Sequence, residues 1–208
     1  LSEIYLYFAV IKGNRFSDFG SSTRIFIKSP KNQPGVELPL FVAEINTSKD
    51  QAVESALETI DSSLKSIGGE FIESQVTADH NRIFAVLEHD NIVAIETALD
   101  GAGLDVEDLA KVRLVGAELE DVKKLKKGSQ YLVEWDFPEG LTMDKYLTRK
   151  KEKSPLYDDI DDVKFLRTYV REDMVKCLCF YDGESEDAIV NARKVVDTPI
   201  SRLHKLES

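Results

Sequence analysis

Apolar positions from residue 40 onward switch repeatedly between two spacings, which marks strands and helices in turn. Leu40-Phe41-Val42-Ala43-Glu44-Ile45 is rich in aromatic and β-branched residues and reads as a strand. Val53, Ala56, Leu57, Ile60, Leu64 and Ile67 then recur at helical spacing and form one stripe. Ser48, with Gln51 three residues on, reads as a capping box for that helix, and Gly68-Gly69 as its left-handed stop. Two strands follow, Phe71 to Thr77 and Arg82 to Glu88, joined by the turn Asp79-His80-Asn81. A helix from Asn91 to Leu99, ending at Gly101, and a strand Lys111 to Val115 complete a βαββαβ order.

The same order recurs. Strand Tyr131 to Phe137 leads to a helical stretch from Thr142 that Pro155 interrupts. Strands Val163 to Arg171 and Met174 to Tyr181 come next. A helix capped by Ser185 carries Ala188, Ile189, Ala192, Val195 and Val196 and ends at Pro199, before a last strand Ile200 to Leu206. The two runs keep register: Ala94-Ile95 and Ala98 align with Ala188-Ile189 and Ala192 at an offset of 94, which also sets Ala85 against Cys179. Glu44 and Glu134 align at an offset of 90, and the difference falls in the first helix and its loop, where insertions cost little.

The expected fold is therefore α+β: tandem ferredoxin-like units, residues 37–122 and 130–208, joined by a linker at 123–129. Residues 1–36 read as an N-terminal β-hairpin extension, with Ile4 to Ile11 and Thr23 to Ile27 as its strands. Each unit covers one sheet face with helices and leaves the other open, so two facing sheets are expected to pair as an intrachain pseudo-dimeric α+β barrel.

Charge narrows the partners. The chain carries 27 basic and 38 acidic residues, a net −11, which argues against nucleic acid and against an anionic membrane surface. No apolar run approaches the roughly 18 residues that span a bilayer, and no leader pattern is present. The two cysteines stand together as Cys177-x-Cys179, unlike a disulfide framework, so a reducing, cytoplasmic setting is expected, for a monomer or homodimer.

Tyr131-Leu132-Val133-Glu134-Trp135-Asp136-Phe137-Pro138 with Leu141-Thr142 resembles the opening of a bacterial family of unknown function whose named members are nickel-responsive proteins. The likeness continues through Val163 to Val170 and Lys176 to Tyr181 and ends at Pro199 to Leu203, so it is clearest in residues 130–207. Residues 38–116 resemble it in outline: Glu44 is kept, while Gln75 stands in the place of Tyr169 and Ala85 in that of Cys179. The resemblance implies a ferredoxin-like fold and binding of nickel or another small ligand. Nickel sites of this kind draw on histidine, whereas His80, His89 and His204 are scattered and the Trp135 strand has none.

The expected ligand-binding residues are Glu134, Arg167, Tyr169 and Cys179: a carboxylate, a guanidinium, a phenol and a thiol on central strands. Strand parity puts Arg167 and Tyr169 on one face, and Cys177 with Cys179 on one face. Cys177, Cys179 and His204 are the candidate metal ligands, with small core cysteines as the alternative. The acidic run Asp158 to Asp162 lacks calcium-loop spacing and reads as a solvated loop. The function expected is binding of a small molecule or metal between the two sheets. A cofactor-independent monooxygenase or isomerase is one alternative, and a protein-interaction module is the other.

Overall fold

The computed structural model describes residues 37–47, 52–125 and 127–207. The chain divides at residue 34, and the described residues all belong to the unit from Gly35 to Ser208. The expected N-terminal hairpin and the Ser48–Gln51 capping box lie outside the described residues.

The elements are β1 (Leu40–Asn46), α1 (Val53–Ser66), β2 (Glu70–Val76), β3 (Arg82–Glu88), α2 (Ile92–Gly101), β4 (Asp105–Val115) and the short α3 (Leu119–Val122). There follow β5 (Tyr131–Asp136), α4 (Met143–Lys153), a 3-10 helix (Ser154–Asp159), β6 (Val163–Arg171), β7 (Lys176–Gly183), α5 (Glu186–Val195) and β8 (Arg202–Lys205). The β-α-β-β-α-β order thus occurs twice. All eight strands lie in one antiparallel sheet, in the order β2-β3-β1-β4-β6-β7-β5-β8.

The two sheets expected to pair as a barrel are joined edge to edge into one continuous sheet. The physical reason is β4, which runs eleven residues rather than the five read from sequence. Its first part pairs with β1, and Val112 to Val115 pair with β6, welding the halves together. Asp105, Glu107 and Asp108 hid the start of this strand, because acidic residues are poor strand formers on their own. At the other side the outermost strands meet. Thr77 bridges Leu206, Ala78 N–H donates to Lys205 O (2.9 Å), and Glu207 N–H donates to Val76 O (2.8 Å). The closing bonds leave few unpaired edge groups, as in a barrel.

Side-chain alternation sorts the core into three layers. On the helix side of the first half, Ala56, Ile60 and Leu64 of α1 pack on Ala43, Ile45, Ala85 and Leu87. On the helix side of the second half, Ile189 and Ala192 of α5 and Tyr146 of α4 join Val133, Trp135, Cys177, Cys179 and Tyr181. The inner face is filled by Leu40, Val42, Phe84, Val86, Val112, Leu132, Tyr169, Leu178, Phe180 and Leu206.

Caps follow the sequence where they are described. Asn91 Oδ1 accepts from Val93 N–H (2.9 Å) and Ala94 N–H (3.3 Å), and Ser185 Oγ accepts from Ala188 N–H (3.1 Å). Gly183 lets α5 approach β7 closely, since a Cβ there would stand 2.7 Å from Ile189 Cδ1. The 123–129 stretch, expected to be an exposed linker, is tied down at both ends. Lys123 Nζ pairs with Glu70 (2.9 Å) and Glu88 (3.0 Å), and buried Ser129 donates its N–H to Gln75 Oε1 (3.0 Å). Among the described residues no helix is long and apolar enough to cross a membrane.

Candidate functional site

Leu132 and Glu134 alternate with Val133 and Trp135 on β5, so Glu134 points to the inner face and is fully buried. It sits in a network of charges. Lys176 Nζ donates to Glu134 Oε2 (2.7 Å) and pairs with Glu44 Oε1 (2.5 Å). Arg202 Nε lies 2.9 Å and His204 Nε2 2.8 Å from Glu134 Oε1. Among the described residues, Glu44 has in addition only Arg82, at 3.4 Å. The two carboxylates share one ammonium yet shift in opposite directions. Burial raises Glu134, but bonds from His204, Arg202 and Lys176 outweigh it and hold the group well below the usual carboxylate range. Burial dominates at Glu44, where Lys176 only partly offsets it, so its pKa lies above the usual value.

Arg167 and Tyr169 belong to a different cluster, centred on Glu73 of β2. Arg167 Nε donates to Glu73 Oε1 (2.8 Å), its Nη2 bonds to Oε2, and Tyr169 OH donates to Oε1 (2.5 Å). Gln75 Nε2 completes the shell at 3.2 Å, and the guanidinium carbon lies 5.0 Å from the centroid of the Phe180 ring. Both strands carry a register shift just ahead of this pair, between Phe71 and Glu73 and between Phe165 and Arg167. Bulges of this kind re-aim side chains, and here they turn Glu73 and Arg167 toward each other. Sequence reasoning missed Glu73, although the offset of 94 sets it opposite Arg167.

Cys179 lies on the other face of the sheet, under α4 and α5. The four expected ligand-binding residues are therefore split three ways, and the structure brings together only Arg167 with Tyr169. Cys179 Sγ stands 3.2 Å from Thr168 Oγ1 and 3.6 Å from Cys177 Sγ. Both thiols face the same side, as alternation requires. The hydrogen bond shared with Cys177, with Arg193 and Lys150 nearby, pulls the Cys179 pKa well below the usual thiol value against burial. Burial pushes Cys177 up.

Beside Cys179 is a cavity of about 20 Å³, lined also by Trp135, Tyr146, Tyr157, Lys150 and Arg193. Arg193 lies on α5 four residues after Ile189, so it falls on the buried stripe, whereas Val195, expected there, is 53% exposed. Its Nη1 donates to Tyr181 OH (3.0 Å) and its Nη2 to Pro199 O, while Nε is buried with no hydrogen-bond partner. Tyr157 OH and Tyr181 OH are 2.9 Å apart. Lys150 Nζ lies 3.4 Å from the Phe165 ring centroid and 5.6 Å from that of Tyr157. Burial holds the Lys150 pKa below the usual lysine value.

The candidate metal ligands do not converge. His204 is bonded to Glu134, and the Cys177–Cys179 pair is on the opposite face. His80 pairs with Glu207 at 3.4 Å, and His89 lies against Ile67 O and Asn91 O. No group of three or more metal-ligating side chains occurs among the described residues, so they do not fit a nickel ion.

One antiparallel sheet, helices on its outer face and an apolar layer within define the class of the dimeric α+β barrels. A candidate chlorite dismutase, TA0507, has this fold: it is 13% identical, with a TM-score of 0.54 over 83% of this chain and 96% of that one. A candidate monooxygenase of Fusobacterium nucleatum subsp. nucleatum is 15% identical, with a TM-score of 0.44 over 82% and 92% of the two chains. At 13% identity the likeness to TA0507 is one of fold. Within that class, residues 131–206 match the family of the nickel responsive protein SCO4226-like. No curated protein matches the chain.

Proposed function

We propose that this protein binds a small ligand in its second half, at the opening between the outer face of β5–β7 and the helices α4 and α5. The present space of about 20 Å³ admits one water-sized group, and a ligand enters by moving the Lys150 and Tyr157 side chains aside. The observation that carries the proposal is the lining: three aromatic rings, Trp135, Tyr146 and Tyr157, meet a polarised thiol at Cys179 beside an internal space. This segment is also the one that matches the nickel-responsive family. Of the four residues expected to bind ligand, Cys179 serves directly in this reading. Glu134, Arg167 and Tyr169 act as the frame, because their polar groups are occupied by other side chains.

The second βαββαβ run is in this view a copy of the first, fused to it so that one chain makes what two subunits make elsewhere in the class. The Glu73–Arg167 pair supports it. An offset of 94 relates the two positions, and a homodimer would there oppose like charges, whereas two diverged copies in one chain can place a carboxylate against a guanidinium. The alternative of a cofactor-independent monooxygenase or isomerase needs substrate space on the inner face. That face is packed with Phe84, Leu132, Leu178 and Phe180.

Trp135 is the only tryptophan of the chain and lines the cavity, so its fluorescence reports occupancy directly. A panel of small molecules screened by Trp135 emission should give saturable changes that the smaller substitution Cys179→Val weakens by taking up the space. Ligands that bind calorimetrically without altering Trp135, or that bind Cys179→Val unchanged, would place the site elsewhere.

A further inference from the structure

The charge around the cavity departs from that of the whole chain. Four cations line it, Arg149, Lys150, Lys153 and Arg193, in a chain of net charge −11, and no carboxylate is among the lining residues. Asp197 answers two of them, Arg149 at 3.3 Å and Lys153 at 4.0 Å. The other two have no carboxylate partner among the described residues. Arg193 is 2% exposed, bonds only to a phenol and a main-chain carbonyl, and keeps its Nε unpaired. Lys150 is held by aromatic rings alone.

A buried guanidinium with an open donor is costly unless something anionic meets it. The Cys179 sulfur supplies at most one negative charge against two such cations, so the cavity keeps a positive excess. Low-dielectric walls concentrate that excess at the cavity.

The space of about 20 Å³ as it stands admits one water-sized group. We propose that this cationic cluster binds a small oxyanion, a carboxylate or phosphate group, at the cavity's opening, where the anion draws the Lys150 ammonium off the aromatic rings and meets the Arg193 guanidinium. This rests on the small-ligand reading and names the ligand's chemistry. Specificity follows from charge as well as shape. A neutral isostere leaves both cations unanswered, and a charge-assisted hydrogen bond contributes about 1.5–3 kcal/mol, or tenfold and more in affinity.

The test titrates the full chain with acetate, acetamide and inorganic phosphate at constant ionic strength in chloride, read by Trp135 fluorescence and calorimetry. Acetate and acetamide share a shape and differ in charge. Acetate or phosphate should bind saturably and acetamide should not, and the stronger of the two anions identifies the carboxylate or phosphate source. Lys150→Gln should weaken the anion about tenfold or more, and Lys150→Arg should restore much of it. Arg193→Gln should abolish binding. Because Arg193 also ties α5 to Tyr181 and Pro199, the half-buried Lys150 variants carry the test if Arg193→Gln fails to fold. Equal binding of acetate and acetamide would overturn the anion and leave the small-ligand reading standing. Unchanged anion affinity in Lys150→Gln would also overturn it, as would no binding of any of the three, and the wider Trp135 screen then decides the small-ligand reading.

Discussion

Replacing Lys176 by methionine isolates the energetics of the inner charge network. Lys176 Nζ lies 2.5 Å from Glu44 and 2.7 Å from Glu134, and the two carboxyl side chains are 5% and 0% exposed. Methionine keeps the volume and removes the shared cation. Glu134 retains Arg202 and His204, whereas Glu44 is left with Arg82 at 3.4 Å, so the cost concentrates on Glu44. Removing one partner of a buried pair costs about 3–5 kcal/mol, a large share of an ordinary domain's stability. The cost should fall with pH. Glu44 already has a raised pKa, and without the ammonium it becomes neutral more readily, which removes the uncompensated charge. Urea denaturation of wild type and Lys176→Met at pH 7 and pH 5, each with and without Glu44→Gln, measures the loss, its pH dependence and the coupling. A loss under about 1 kcal/mol at pH 7, or the same loss in the Glu44→Gln background, would refute the reasoning.

The other predictions are more direct. Glu73→Arg or Arg167→Glu should each lower stability by about 3 kcal/mol or more by opposing like charges, and the double exchange should recover much of it, read by melting temperature. Ile60→Ala should lose about 2–5 kcal/mol in denaturant, since Ile60 is fully buried in the first helix-side core. Acid should expose Glu134. Its folded pKa is depressed, so its contribution is present above the ordinary carboxylate value of 4.5 and is lost as pH falls below it, and Glu134→Gln should flatten that part of the stability–pH curve. Glu44 has the opposite sign. Its raised pKa makes stability decline as pH rises above 4.5, and Glu44→Gln should remove that decline.

The hydrophobic pattern was enough to read most of the elements, because strand and helix periods differ clearly where apolar residues are regular. Leu40 to Ile45, the stripe of α1, the start of α2 near Asn91 and the cap Ser185 are all found where they were read. Two physical effects hid the rest. The bulges before Glu73 and Arg167 reset the alternation locally, and no composition signal marks a bulge. The long pairing of β4 with both β1 and β6 is a property of the assembled sheet, and it turned two expected sheets into one.

The site was legible only in part. Cys179 was found because a thiol on a central strand stands out, and Arg167 with Tyr169 because of parity. Lys150 and Arg193 were missed because they stand among other charged residues, Lys151, Glu152, Lys153 and Lys194, whose composition is that of a solvated helix face. The spacing of Arg193 from Ile189, one helical turn on the buried side, was the available signal.

The most direct test of the account is a titration of Trp135 fluorescence in the full chain with acetate and with phosphate at fixed ionic strength. The account predicts a saturable change with at least one of the two anions, weakened about tenfold or more in Lys150→Gln and largely restored in Lys150→Arg. A flat signal, with either anion bound calorimetrically at another site or not bound at all, would contradict it.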